Sequence, residues 1–111
     1  MANTFKNKGL ASIGTSFTTA YTCPSSTTAT IIGMTIANIS SSSSITVGVR
    51  VYDSSAGAYY TIVNYAPILV GGSLVVVGGD QKIVLETSDT IQIYSSSSGN
   101  ADAFISLLEQ T

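Results

Sequence analysis

At 111 residues the chain is long enough for one domain with a real core, since a chain of this mass hides roughly two-thirds of the surface it exposes when unfolded. It carries four Lys or Arg against six Asp or Glu, a formal net charge of −2, and at 9% charged it falls far below the ~25% of an ordinary soluble domain. Histidine is absent and cysteine occurs once, which excludes Ser-His-Asp and Cys-His catalysis, an internal disulfide and any cysteine-based metal cluster.

Residues Met1 to Lys8 are polar and precede the first clear strand pattern. They are expected to form an N-terminal arm that orders only in an assembly, leaving 9–111 as a single domain. Lys6 and Lys8 are the one close pair among the cations; with Arg50 and Lys82 scattered, no phosphate-binding cluster forms and nucleic acid is not expected as a partner. A solvated arm accounts for the pair. No run approaches the ~20 apolar residues that span a membrane, so no membrane partner is expected. Gly9, Ser12, Gly14, Thr15 and Ser16 interrupt the run that a secretory signal would need, so a classical export signal is not expected.

From there the dominant period is two, with β-branched and aromatic residues alternating with small polar ones. Strands are expected over Lys8 to Ile13 and Thr18 to Cys23. Cys23, before Pro24, reads as a small buried side chain. Ile32, Met34 and Ile36 alternate up to Asn38 and the run Ser40 to Ser44, a loop. Ile45, Val47, Val49 and Val51 line one face of the next strand, while Thr46, Gly48, Arg50 and Tyr52 line the other. Further strands are expected over Tyr59 to Tyr65, Ser73 to Val77, Lys82 to Glu86, Thr90 to Tyr94 and Asp102 to Leu108. Turn signals separate them at Asp53 to Gly57, Gly71-Gly72, Gly78-Gly79-Asp80 and Ser98-Gly99-Asn100. Val77-Gly78-Gly79-Asp80-Gln81 has the look of a tight hairpin. The spacing predicts an all-β protein: a single antiparallel sandwich, jelly-roll-like or Ig-like, of eight to nine short strands.

Little in this pattern carries chemistry. Glu86 and Asp89 are the carboxylates closest to an acid/base pair, but they flank a turn, and Asp89 before Thr90 suits acceptance of main-chain N–H bonds there. Asp53, Asp80 and Asp102 also sit at turns, and their spacing shows no convergence of oxygens from one loop as calcium requires. The double glycines lead into strands, not helices, and so do not cradle phosphate. No catalytic, cofactor-binding or metal-ligating residue is assigned, and no cofactor is expected. The tyrosines are the informative residues left. Tyr52, Tyr59, Tyr60 and Tyr65 cluster around one predicted hairpin, and tyrosine is enriched at protein contacts. With Phe5, Lys6 and Lys8 of the arm they form the candidate interface set.

One longer pattern carries a resemblance. Ala20-Tyr21-Thr22-Cys23-Pro24 is followed by Ile32-Gly33-Met34-Thr35-Ile36-Ala37-Asn38 and Val47-Gly48-Val49-Arg50-Val51-Tyr52-Asp53. Pro67-Ile68-Leu69-Val70-Gly71-Gly72-Ser73-Leu74 and Lys82 through Ile91 complete it. In this order the chain resembles a group of roughly hundred-residue tailed-bacteriophage proteins described as virion or tail structural proteins. One departure stands out: Ser88 occupies the place before Asp89 where that group has a turn glycine.

The resemblance implies a non-enzymatic virion protein, assembled in the host cytoplasm and joined to the major capsid protein or other virion proteins. A capsid decoration or cement role, through protein–protein contacts and homo-oligomers such as a trimer, is the leading expectation. A neck, tail or baseplate component is the alternative in the same class. A host-surface or carbohydrate-binding module, using the same tyrosines as stacking faces, is the alternative outside it. A third is a pilin-like domain with a Lys82 cross-link and Glu86 as its acid.

Overall fold

The structure, a computed structural model, describes residues 2–111. Nine strands follow in chain order: β1 (Asn3–Leu10), β2 (Thr18–Thr22), β3 (Thr28–Asn38), β4 (Ile45–Asp53), β5 (Ala58–Ile68), β6 (Ser73–Val77), β7 (Ile83–Leu85), β8 (Thr90–Ser95) and β9 (Ala101–Gln110). They form two antiparallel sheets, one ordered β1-β9-β3-β6 with β7 also on β3, the other β2-β8-β4-β5. Counting β6 and β7 as one interrupted strand, the first strand pairs with the last, the second with the last but one, the third with the sixth and the fourth with the fifth. That is a long hairpin rolled into two facing sheets, the jelly-roll arrangement.

Period-two alternation decides which side chains meet between the sheets. Ile45, Val47 and Val49 of β4 and Ile91 and Ile93 of β8 face Ile31, Met34 and Ile36 of β3 and Ile105 and Leu107 of β9 in one continuous core. The C-terminal segment, whose Ala103, Phe104, Leu107 and Leu108 also fit a helical period, is a strand with alternating burial along its whole length. Cys23 is buried and donates to the carbonyls of Thr27 and Leu85. The serine run after Asn38 is a loop held from inside: the Asn38 amide donates to the carbonyls of Ser43 and Ile68, and its oxygen accepts the Ser40 N–H.

Three details differ from the sequence reading. First, the expected arm is a strand: Asn3 to Lys8 belong to β1, paired along its length with β9, and the first strand ends at Leu10 without reaching Ile13. Its exposed residues carry no core pattern, so only the ladder to β9 reveals it. Second, Lys6, half-exposed on β1, is paired: its Nζ lies 3.0 Å from the carboxylate of Glu109, which is buried. Third, Val77 to Gln81 is not a hairpin. β6 and β7 both run antiparallel to β3, at Met34–Ala37 and Ala29–Ile31, so the loop between them makes a detour in one edge and the chain continues in the same direction. Gly79, at a φ of 61°, turns the loop out and back.

Candidate functional site

The outer face of the β2-β8-β4-β5 sheet carries the most organised set of side chains on the surface. Alternation places Gly48, Arg50 and Tyr52 of β4 outward beside Tyr94, Gln92 and Thr90 of β8, their register partners. Gly48 is required by packing: a Cβ there would collide with the Tyr94 ring, which lies over it. Opposite Gly48, the two residues Asn64 and Tyr65 of β5 take the place of one, a bulge between the Val47–Ala66 and Val49–Val63 pairs. Tyr65 sits in it with a φ of 52°, a conformation that side-chain-bearing residues rarely adopt.

The bulge brings Tyr65 edge-on to Tyr94, with ring centroids 5.8 Å apart, and Tyr94 meets Phe17 at 4.8 Å. Phe17 covers one side of Arg50 and Tyr59 also lies against the guanidinium, each ring centroid 3.9 Å from its carbon. Tyr59 then meets Tyr52, its cross-strand partner, at 4.9 Å. The result is an unbroken ladder from Tyr65 to Tyr52 with one cation in its middle. Arg50 Nε donates to Gln92 Oε1 at 2.7 Å, which fixes the plane of the guanidinium. Burial pushes the Tyr94 phenol up, with Tyr65 adding to the effect, and the Tyr94 hydroxyl makes no hydrogen bond among the described residues.

The sequence-predicted contact residues thus divide. Tyr52, Tyr59 and Tyr65 belong to the ladder, whereas Tyr60 stands exposed across from Val51, outside it. Phe5, Lys6 and Lys8 lie on β1 in the other sheet, where Phe5 is exposed and Lys6 is engaged with Glu109. Phe17, Arg50 and Tyr94 complete the ladder and were not assigned to a site from sequence. The signal for Arg50 was present in its outward parity with Gly48 and Tyr52; for Phe17 there was none, because it precedes β2 in an irregular segment.

The carboxylates form a second cluster. Asp53 of the β4–β5 turn and Glu86 and Asp89 of the β7–β8 turn bring oxygens within 4.8 Å of one another, a convergence across the fold that spacing within one loop does not show. Asp89 commits both of its oxygens and Asp53 one, whereas the Glu86 carboxylate accepts no hydrogen bond among the described residues. Asp89 accepts the Glu86 N–H at 2.9 Å and the Ser54 N–H and hydroxyl at 2.9 and 3.1 Å, in keeping with its expected turn role. Asp53 accepts the Ser55 hydroxyl and the Ala56 N–H, which hold its carboxyl below the usual range. Lys82, the proposed cross-linking lysine, donates to the Gly79 carbonyl instead.

No family model and no curated protein matches the chain. Among solved structures it is similar to a subunit of Bacillus endospore appendages, a family of disulfide-linked pili, at a TM-score of 0.56 and 12% identity over 99% of this chain and 87% of that one. At that identity the likeness concerns the fold alone. The search also returned the infectious bursal disease virus VP2 subviral particle, at a TM-score of 0.48, 13% identity and 96% and 32% coverage. A pentameric capsid protein from metagenomic phage sequences follows, at 0.44, 16% identity and 96% and 61% coverage. The chain therefore spans about a third and three-fifths of these two proteins.

Proposed function

We propose that this chain is a non-enzymatic structural protein of a tailed-bacteriophage virion, acting as a capsid decoration or cement subunit that stabilises the particle through contacts with the major capsid protein and with its own copies. The observation that carries this reading is the pairing of a weakly charged surface with large apolar side chains exposed on both outer faces. Phe5, Phe104, Val75 and Val84 stand out from one sheet and Tyr59 and Tyr65 from the other. Such a surface repels its own kind little and costs little to desolvate, as suits a molecule that ends up covered. Jelly rolls recur in capsid domains, which supports the reading by analogy of fold.

A disulfide-linked filament fits less well. Cys23, the one cysteine, is 1% exposed with its thiol turned to two carbonyls, and burial pushes its pKa up. The test is the protein's position and copy number in an electron-microscopy map of the particle. Hundreds of copies on the shell are expected; tens or fewer, at the neck or baseplate, would move it to the tail, and absence from the particle would overturn the reading.

A further inference from the structure

The aromatic ladder borders an open groove of about 640 Å³ in which, among the described residues, Arg50 is the only charged one in the lining. The guanidinium is already held in place by Phe17, Tyr59 and Gln92, and its hydrogen bond to Gln92 uses Nε, leaving the Nη donors without a partner among the described residues. An arginine restrained in this way loses little freedom when it closes a forked pair with a carboxylate. Beside it, Tyr65 is 66% exposed and offers an open ring face, while Thr61 and Asn64 contribute a hydroxyl and an amide.

We propose that this groove binds an acidic saccharide, its carboxylate on the Nη edge of Arg50, its ring against Tyr65 and its hydroxyls on Thr61 and Asn64. A sugar acid matches each feature: one anion for one cation, an apolar ring face for an aromatic ring, and hydroxyls for the neutral polar groups. An acidic peptide matches fewer. The groove is lined by side chains that project from the sheet face, four of them from the edge strand β5, and its walls are rings and polar groups where the side-chain pockets of an added peptide strand would be needed. This inference is independent of any virion role, since a subunit with no place in a particle would bind the same ligand.

The test is a titration of the isolated full chain with a glucuronate-containing oligosaccharide and with sialyllactose, which separate the two common sources of a sugar carboxylate. Lactose serves as the neutral control, and a short Glu-rich peptide is the rival ligand. Binding of at least one acid sugar, without lactose binding, and a shift of the Arg50 guanidinium NMR signals in the unaltered protein are expected. Arg50→Lys keeps the charge but not the fork and is expected to weaken binding about tenfold. Tyr65→Ala should also weaken it, and Lys8→Ala should leave it unchanged. The proposal is overturned if neither acid sugar binds, if the Arg50 signals do not move, if Arg50→Lys binds as well as the parent, or if only the peptide binds.

Discussion

The two outer faces of the sandwich expose similar apolar side chains but use them differently. On the β2-β8-β4-β5 sheet, Tyr65, Tyr94, Phe17, Tyr59 and Tyr52 touch in sequence around Arg50, and a glycine and a bulge make room for them. On the five-stranded sheet, Phe5, Phe104, Val75 and Val84 are exposed, and no ring contact joins the two phenylalanines among the described residues. Exposed apolar area therefore does not by itself mark a built surface. What marks one is a main chain shaped to hold the side chains in order.

The largest expected effect tests that shaping. Gly48→Ala places a methyl group where the Tyr94 ring lies, in the middle of a strand, and relief requires the ring and its neighbours to move. Overpacking of this kind costs about 2–3 kcal/mol, read as a lower midpoint in urea unfolding. Gly33→Ala, in β3 of the other sheet, meets only the Val77 carbonyl at 3.9 Å and is expected to be close to neutral. Equal costs at the two positions would remove the distinction between the faces.

The sheets meet at a polar seam, where Tyr21 of β2 donates to Glu109 of β9 at 2.5 Å and Lys6 of β1 pairs with the same carboxylate. The Tyr21 hydrogen bond, then Lys6, holds the Glu109 carboxyl below its usual range; burial, then Glu109, raises the Tyr21 phenol. Stability from Glu109 is present above its unfolded value of ~4.3 and lost as pH falls through the lower folded value. Stability from Tyr21 is complete below ~10 and lost as pH rises, because there the unfolded chain ionises before the folded one. Tyr21→Phe is expected to cost about 1.5–2 kcal/mol at neutral pH, the range for a hydrogen bond to a charged group, and to flatten both limbs of the stability–pH curve. Unchanged limbs would mean that the seam does not couple the sheets.

The core was legible because each inward strand position alternates, and the expected segments correspond in number and order to the observed strands. Three features were not. β1 is exposed along nearly all its length, so no alternation announces it; its partner is β9, at the far end of the chain. The β6–β7 loop has the composition of a hairpin turn, and only shared pairing with β3 shows that the direction does not reverse. Arg50 reads as an isolated cation in sequence, since its contacts come from Phe17, Tyr59 and Gln92, each distant along the chain except Tyr59.

Arg50→Ala removes two ring contacts worth roughly 0.5–1 kcal/mol each, so a loss of about 1–2 kcal/mol is expected, whereas Lys8→Ala on the other sheet should stay within ~0.5 kcal/mol of the parent. The near-ultraviolet circular dichroism of the tyrosines should change with the first substitution and not with the second. A tyrosine signal indifferent to Arg50 would show the ladder to be a set of neighbours with no mutual support.

The smallest effect has the opposite sign. Ser88 follows Thr87 in the turn where the Asp89 N–H donates to the Glu86 carbonyl, and its φ is 73°, whereas Thr87 is not among the left-handed residues. Positive φ at the third turn position alone is the type II pattern, which favours glycine there. Ser88 is therefore strained there, yet its N–H still bonds the Cys23 carbonyl and Asp89 still ties Glu86 to Ser54. Ser88→Gly relieves the left-handed strain, of order 1 kcal/mol, against the greater freedom of glycine in the unfolded chain. A net gain of up to about 0.5 kcal/mol is expected in urea unfolding, while Ser88→Val should lose at least as much, because a β-branched residue tolerates that φ least. The turn adjoins the Tyr52 end of the ladder through the Thr90–Tyr52 pair, but Ser88 itself is exposed, so neither substitution should alter the tyrosine signal. A change there would mean that the turn and the aromatic face are one unit.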